Sequence, residues 1–296
     1  KKLPTSIIII GGGVIGLEFA QLMSRMGSKV TIVEMMPQVL PGIDTEIANI
    51  LDNILAEEGI EIFTGARVSN IKKEQKGKVV SFAVNKGLKE ITADDVMVAV
   101  GRIPNTDDLG IEKLGIALTT KDNSIIVNKK METNVSGVYA IGDVIGDPML
   151  AHVAMVEGQC AAENIMDADS ELDRHVVPMC VFTSPEVASV GLSELEARDE
   201  YGDIKIGRFP FIGTGRALIL NQTNGVVKIV ADAKHGQILG VHILGPHASE
   251  LIAEAACLMQ LEATLEDVFS VIHAHPTLSE AMLEAALSAE GRAIHL

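Results

Sequence analysis

The chain of 296 residues carries 24 lysines and arginines against 40 aspartates and glutamates, a formal net charge of −16. That balance, with no basic stripe, excludes a phosphate-neutralising nucleic-acid binder and disfavours anionic membrane surfaces. With 47% hydrophobic residues, no Trp, 2 Tyr and 7 Phe, the composition is globular, suits about two domains and leaves little for base stacking.

The chain opens Lys1-Lys2-Leu3-Pro4, without Met, which raises the expectation that it belongs to a longer polypeptide. Two lysines ahead of Ile7 to Ile10 imitate a secretory signal. Glycines break the apolar run, however, Glu18 ends it, no small-residue cleavage site follows, and the stretch is too short to span a bilayer. Ser6 to Ile10 is continuously apolar and β-branched, as a strand buried on both faces of a parallel sheet should be. Gly11 to Gly16 then opens a predicted helix over Leu17 to Met26, stopped by Gly27, and Lys29 to Glu34 is a second strand. These elements form a βαβ unit. Asp44 to Glu58 has helical spacing, followed by a strand Ile60 to Phe63, short antiparallel strands at Val68 to Ile71, Val79 to Val84 and Lys89 to Thr92, and a buried strand Asp95 to Val100.

Further along, Ile125 to Val127 and Gly137 to Ile141 read as strands, and Leu150 to Met166 as a helix. From His175 onward, strands at Val187 to Val190, Ile204 to Phe211, Val226 to Val230 and Ile238 to Ile243 precede helices at Ala248 to Met259, Leu265 to Ile272 and Pro276 to Ala289. Strands followed by helices indicate an α+β unit. The expected fold class is therefore an α/β unit of Rossmann type followed by an α+β unit, with expected boundaries at 1–121, 122–174 and 175–296. The cysteines Cys160, Cys180 and Cys257 are far apart and form no CxxC. They predict neither a zinc knuckle nor a disulfide framework, fit a reducing compartment, and read as small buried hydrophobes.

Three constellations bear chemistry. Gly11-x-Gly13-x-x-Gly16 follows a strand and opens a helix, with Glu34 ending the next strand. Gly11 permits the tight turn, Gly13 lets a pyrophosphate approach the backbone and Gly16 allows close helix–strand packing, while the helix start offers free N–H groups. Glu34 accepts from ribose hydroxyls and repels a 2′-phosphate; Met35 and Met36 follow it instead of arginines, so NAD is favoured over NADP. The second constellation is His273-Ala274-His275-Pro276-Thr277-Leu278-Ser279-Glu280. Pro276 suits the first helical position, leaving His275 at the entrance and Glu280 on the next turn, within reach of the imidazole. Spacing alone leaves two readings: a general acid–base dyad, or a capping cluster on a surface helix. No third ligand accompanies His273 and His275, so no metal site is predicted. The third constellation is Gly142-Asp143, then Met149-Leu150-Ala151-His152. Asp143 is either a turn cap or an acceptor for a polyol hydroxyl beside a helix start.

Together GGGVIGLE (11–18) with Glu34, VAVGRIPNT (98–106), GVYAIGDV (137–144), MLAH (149–152), FTSPEVASVG (182–191) and HAHPTLSEA (273–281) resemble the pyridine nucleotide–disulfide oxidoreductase flavoproteins. Gly16 fits an NAD enzyme, and Thr-Leu-Ser after His-Pro resembles the lipoamide branch more than the glutathione branch. The resemblance implies an α/β Rossmann-type NAD-binding domain over 1–121, a central flavin-facing segment over 122–174 and an α+β dimerisation (interface) domain over 175–296. With them it implies oxidation of a dihydrolipoamide-type dithiol by NAD through FAD and a redox disulfide. It implies NAD on the backbone of Gly11, Gly12, Gly13, Val14, Ile15, Gly16, Leu17 and Glu18, with Glu18 near the nicotinamide, Glu34 on the adenosine ribose, Val68 at the adenine and Gly101 near the dinucleotide.

It further implies FAD at Asp143 and along Met149, Leu150, Ala151 and His152. His275, held by Glu280, would be the acid–base serving the partner subunit of a homodimer. Expected partners are lipoyl domains of a 2-oxo acid dehydrogenase or glycine cleavage complex, in a bacterial cytoplasm or mitochondrial matrix. The family also begins with an FAD-binding GxGxxG and a CxxxxC, neither of which occurs here besides the one GxGxxG. The chain is therefore expected to correspond to the C-terminal two-thirds of such an enzyme and to be inactive alone. The alternatives are a non-catalytic NAD-binding and dimerisation module, or a flavin-dependent reductase of another thiol or a quinone.

Overall fold

The computed structural model describes residues 2–84 and 87–295. In chain order, the first elements are β1 (Ser6–Ile10), α1 (Val14–Arg25), β2 (Lys29–Val33), α2 (Thr45–Glu57), β3 (Glu61–Phe63), β4 (Arg67–Glu74), β5 (Gly77–Val84), β6 (Gly87–Ala93) and β7 (Asp95–Val98). Strands β3-β2-β1-β7 form a parallel sheet, and β4-β5-β6 an antiparallel meander. The alternation along β1 explains its unbroken apolar run. Ile7 and Ile9 join Leu17, Ile47, Leu51 and Leu55 of the helices, whereas Ile8 and Ile10 join Val80 and Phe82 of the meander. Both faces are covered, so neither set of side chains is wet. The expected last strand is shorter than predicted and half-buried, because β7 lies at the sheet edge.

Next come α3 (Ile111–Leu114), a 3₁₀ turn Gly142–Ile145 and α4 (Ala151–Ile165). The strands predicted at 125–127 and 137–141 are absent. Each is reduced to a single bridge, Leu118 with Ile125 and Glu132 with Tyr139. Positive φ at Asn123 (61°), Met131 (64°) and Gly137 (78°) interrupts extended pairing there.

The remaining elements are β8 (Met179–Val181), β9 (Glu186–Gly191), α5 (Glu194–Tyr201), β10 (Ile204–Pro210), α6 (Gly215–Leu220), β11 (Val226–Asp232), β12 (Ile238–Gly245), α7 (Ala248–Gln260), α8 (Leu265–Ser270) and α9 (Glu280–Ala289). Strands β10-β11-β12-β9-β8 form one antiparallel sheet. Helix α9 lies so close to β10 that a Cβ on Gly207 would meet the Ala285 carbonyl oxygen at 1.8 Å. It begins at Glu280 and not at Pro276, since the Glu280 carboxylate takes the Thr277 N–H and the Thr277 hydroxyl donates to Ala274 O, closing a turn ahead of the helix. Cys160 is buried, but Cys257 is exposed on α7, contrary to the expectation for three buried thiols.

The chain forms two compact units: everything up to Val100 together with everything from Pro178, and the stretch Gly101–Val177. Residues 101–121, expected within the NAD domain, belong to the second of these units: Ala117 N–H donates to Asn134 Oδ1, and Ile126 N–H to Ala117 O.

Within the first unit an ion cluster joins α2, beside the parallel sheet, to the C-terminal antiparallel sheet. Lys228 Nζ lies 2.9 Å from carboxylate oxygens of Asp44, Glu46 and Glu194, and Arg208 bridges Glu46 and Glu194. The Lys228 side chain is only 2% exposed. Burial opposes ionisation of Asp44, but hydrogen bonds from Lys228 and the Glu194 N–H outweigh it and hold the carboxyl below its ordinary range. The Arg208 guanidinium does the same for Glu46. Groups with depressed folded values stabilise above their unfolded values and lose that contribution as pH falls through the folded ones. Lys228→Met should therefore cost about 3–5 kcal/mol by stranding buried carboxylates, read from the denaturant midpoint at pH 7. The gap between variant and parent should narrow as the pH is lowered through the acid range where these carboxyls protonate.

Candidate functional site

The glycine loop is built by close approach. Gly11 has φ +108°, and a Cβ there would meet the Ala99 carbonyl oxygen at 2.2 Å. A Cβ on Gly16 would stand 2.0 Å from the Gly11 carbonyl oxygen, so α1 is pressed onto the loop it follows. Around Gly13 the corresponding position has nothing within 4 Å, and Gly13 caps α1 with no side-chain hydrogen bond. The start of α1 is thus uncapped by any side chain and open beside Gly13, an arrangement suited to a phosphate.

Glu34, buried at 6% exposure, holds the loop: Oε2 accepts the Gly12 N–H at 2.5 Å and Oε1 accepts the Met36 N–H at 2.6 Å. Each carboxylate oxygen keeps a further lone pair for a ligand hydroxyl. Ala66 N–H donates to Glu34 O, and Val68, on β4, packs on the cluster of Ile10, Val33 and Ala66. The structure thus gathers Gly11 to Leu17, Glu34 and Val68 around the end of one sheet. Glu18, one turn into α1, accepts the Phe182 N–H at 2.8 Å through Oε1.

Gly101, Asp143 and Met149 to His152 lie in the other unit. Gly101 has φ +107° with no neighbour at its Cβ position. Asp143 lies in the 3₁₀ turn, its Oδ2 3.1 Å from Arg102 Nη2. Leu150 caps α4 without a side-chain hydrogen bond; Met149 and Leu150 are half-buried, Ala151 and His152 exposed. The residue that sets this turn was missed from sequence. Glu157, 1% exposed, accepts the Gly142 N–H at 2.8 Å and pairs with Arg174 at 2.8 Å. Its signal was a carboxylate among Val153, Cys160 and Ala161, on the buried face of α4.

The two histidines of the C-terminal motif have different settings. His275 Nδ1 is 2.8 Å from Glu280 Oε1, while its ring is 77% exposed. Burial disfavours the charged Glu280, yet the Thr277 N–H and His275 hold its carboxyl below the ordinary range. His273 is enclosed, with Nε2 2.8 Å from Glu254 Oε1 and Nδ1 3.2 Å from Val271 O. Both its ring nitrogens face acceptors, and the Glu254 hydrogen bond raises its pKa against the opposing burial. Among the described residues no group of three or more His, Cys, Asp or Glu is placed to hold a metal ion, and no helix is long and apolar enough to cross a membrane.

A sequence profile described as pyridine nucleotide-disulphide oxidoreductase matches residues 1–158, and the profile of the dimerisation domain of such proteins matches residues 177–286. Over its whole length the chain is 45% identical to a dihydrolipoyl dehydrogenase of Thermus scotoductus and 44% identical to one of Bacillus subtilis, covering 64% and 62% of them. The HOCl-induced flavoprotein disulfide reductase RclA from Escherichia coli is similar in structure, with TM-score 0.87 and 29% identity over 97% of this chain and 65% of that one. So is LpdA from Mycobacterium tuberculosis, with TM-score 0.87 and 30% identity over 96% of this chain and 61% of that one. The chain thus spans less than two thirds of the length of these relatives.

The loop geometry leaves no room for a side chain at Gly16. Gly16→Ala would push a methyl onto the Gly11 carbonyl and force loop and helix apart. The variant should lose at least about tenfold in dinucleotide affinity by calorimetric titration, with about 1–3 kcal/mol of stability lost through overpacking.

Proposed function

We propose, on the premise that this chain belongs to the pyridine nucleotide-disulphide oxidoreductase family, that it forms the NAD-binding and dimerising part of a dihydrolipoamide dehydrogenase. The observation that carries this reading is the Glu34 carboxylate, bonded to the Gly12 and Met36 N–H groups beside the open start of α1. The dinucleotide pyrophosphate suits that helix start, and the adenosine ribose suits the remaining lone pairs of Glu34, with Val68 toward the adenine and Glu18 toward the nicotinamide. Bound NAD supplies a hydride acceptor, and bound FAD a two-electron relay to the redox disulfide. For FAD this chain offers Asp143 and the uncapped start of α4 over Met149 to His152. This is one wall of a site.

The dyad supplies the proton chemistry. With Nδ1 committed to the Glu280 carboxylate, Nδ1 carries the hydrogen and Nε2 is left as the base. His275 Nε2 would take a thiol proton from the dithiol, and Glu280 would stabilise the resulting imidazolium without itself being protonated. In the homodimer that this reading requires, the dyad serves the partner subunit, and the dithiol is borne by lipoyl domains of a 2-oxo acid dehydrogenase or glycine cleavage complex. The compartment is a reducing one, a bacterial cytoplasm or a mitochondrial matrix. A second reading, a nucleotide-binding and dimerising module without catalysis, is favoured by the scatter of Cys160, Cys180 and Cys257, none of which pairs with another.

Titration calorimetry should show NADH bound in preference to NADPH, with Glu34→Arg weakening or reversing the preference; equal affinity in the parent would remove Glu34 from the ribose. In the complete enzyme, His275→Gln should lower dithiol-dependent NAD reduction by roughly 10²–10⁴-fold and Glu280→Gln by less. NADH affinity should stay at the parent value in both.

A further inference from the structure

Helix α1 does more than present its first turn to a phosphate. Glu18, Gln21 and Arg25 recur along one of its faces and together grip the segment 182–184, which links β8 to β9 in the C-terminal sheet. Glu18 Oε1 accepts the Phe182 N–H at 2.8 Å. Gln21 Oε1 accepts the Ser184 N–H at 2.8 Å, and its Nε2 donates to Ser184 O at 2.9 Å. Arg25 Nη2 donates to the same carbonyl at 3.0 Å. Behind this ladder stands Glu58, the C-cap of α2, which accepts from Gln21 Nε2 at 3.1 Å and from Arg25 Nη2 at 2.8 Å.

Gln21 is the keystone. It is 4% exposed, and among the described residues it alone bonds both the N–H and the carbonyl of Ser184. Glu18 has the opposite character: one oxygen is tied to Phe182, and Oε2 has no hydrogen-bond partner among the described residues. The direction in which that free oxygen points is therefore set by the Phe182 amide, whose own place is set two residues later by Gln21. We propose that Gln21 is a positioning residue for the nicotinamide half of the nucleotide site, acting through residues 182–184 on Glu18. The inference rests on the NAD reading above and adds to it a residue outside the glycine loop, which touches no part of the nucleotide.

The geometry confines the effect to one half of the ligand. The pyrophosphate and adenosine groups are assigned to Gly11 to Gly16 and Glu34, none of which bonds to the 182–184 segment. ADP-ribose and NADH therefore separate the two halves. In the chain as it stands, Gln21→Leu should weaken NADH binding about three- to tenfold, the worth of one or two lost hydrogen bonds, and leave ADP-ribose within about twofold. Glu18→Ala should give the same pattern, and the double variant should be no weaker than Glu18→Ala alone, because the two residues act in series. Should the leucine variant not fold, Gln21→Met, of equal length and greater flexibility, replaces it, with ADP-ribose binding as the check of an intact loop. An equal loss for both ligands, additive losses in the double variant, or unchanged NADH affinity in Gln21→Leu would each overturn the proposal. Failure of the parent to bind ADP-ribose would instead overturn the NAD reading beneath it.

Discussion

An ammonium group deep inside a protein costs several kcal/mol unless oxygen atoms surround it. Lys228 meets that demand with Asp44, Glu46 and Glu194, drawn from the start of α2 and the first turn of α5. The consequence reaches the nucleotide loop. Asp44 is the N-cap of α2, accepting the Glu46 N–H, so holding Asp44 holds the end of the connection from β2. That connection returns the hold to the glycines: Leu40 N–H donates to Gly12 O at 2.9 Å, and Gly12 N–H donates to Glu34. A cation of the C-terminal sheet thus tethers, through a short run of hydrogen bonds, the loop that would receive a dinucleotide.

The same economy separates two histidines only two residues apart. His273 has both nitrogens occupied and its side chain 4% exposed, which suits a fixed cation anchoring residues 271–273 to α7. His275 has one nitrogen on Glu280 and, among the described residues, no partner on the other, on a ring 77% exposed. Glu280 is held by the position of α9 against β10, where Gly207 lets the helix backbone approach. The dyad is accordingly as rigid as that packing, while the ring it orients remains accessible.

Several of these features had readable signals. A continuous apolar β1 announced a sheet covered on both faces, and the glycine spacing before α1 announced a turn that no side chain could occupy. The five-residue step from His275 to Glu280 made their contact reachable. Other signals were present but unread: Lys228 interrupts an apolar strand, and Glu157 and Glu284 occupy the buried faces of α4 and α9. A charge where periodicity demands an apolar side chain implies a partner. Its identity lies far along the chain, as with Arg174 for Glu157 or Asp44 for Lys228.

By itself the sequence determined what local chemistry dictates: element types, the glycine loop, the carboxylate ending β2 and the pairing of an imidazole with a nearby acid. It misplaced the start of α9 and credited residues 125–127 and 137–141 with strands, because a turn closed by Thr277 and Glu280, or broken by positive φ, depends on neighbours that a window of residues does not contain. Only the tertiary structure decided that Gln21 would hold Ser184, that Glu34 would bond Gly12, and that Lys228 would gather three carboxylates. Each of these is a hydrogen bond or ion pair between residues remote in sequence. Spacing rules reach only a few residues along a helix or strand, and burial, which makes such contacts obligatory, exists only once the chain has folded.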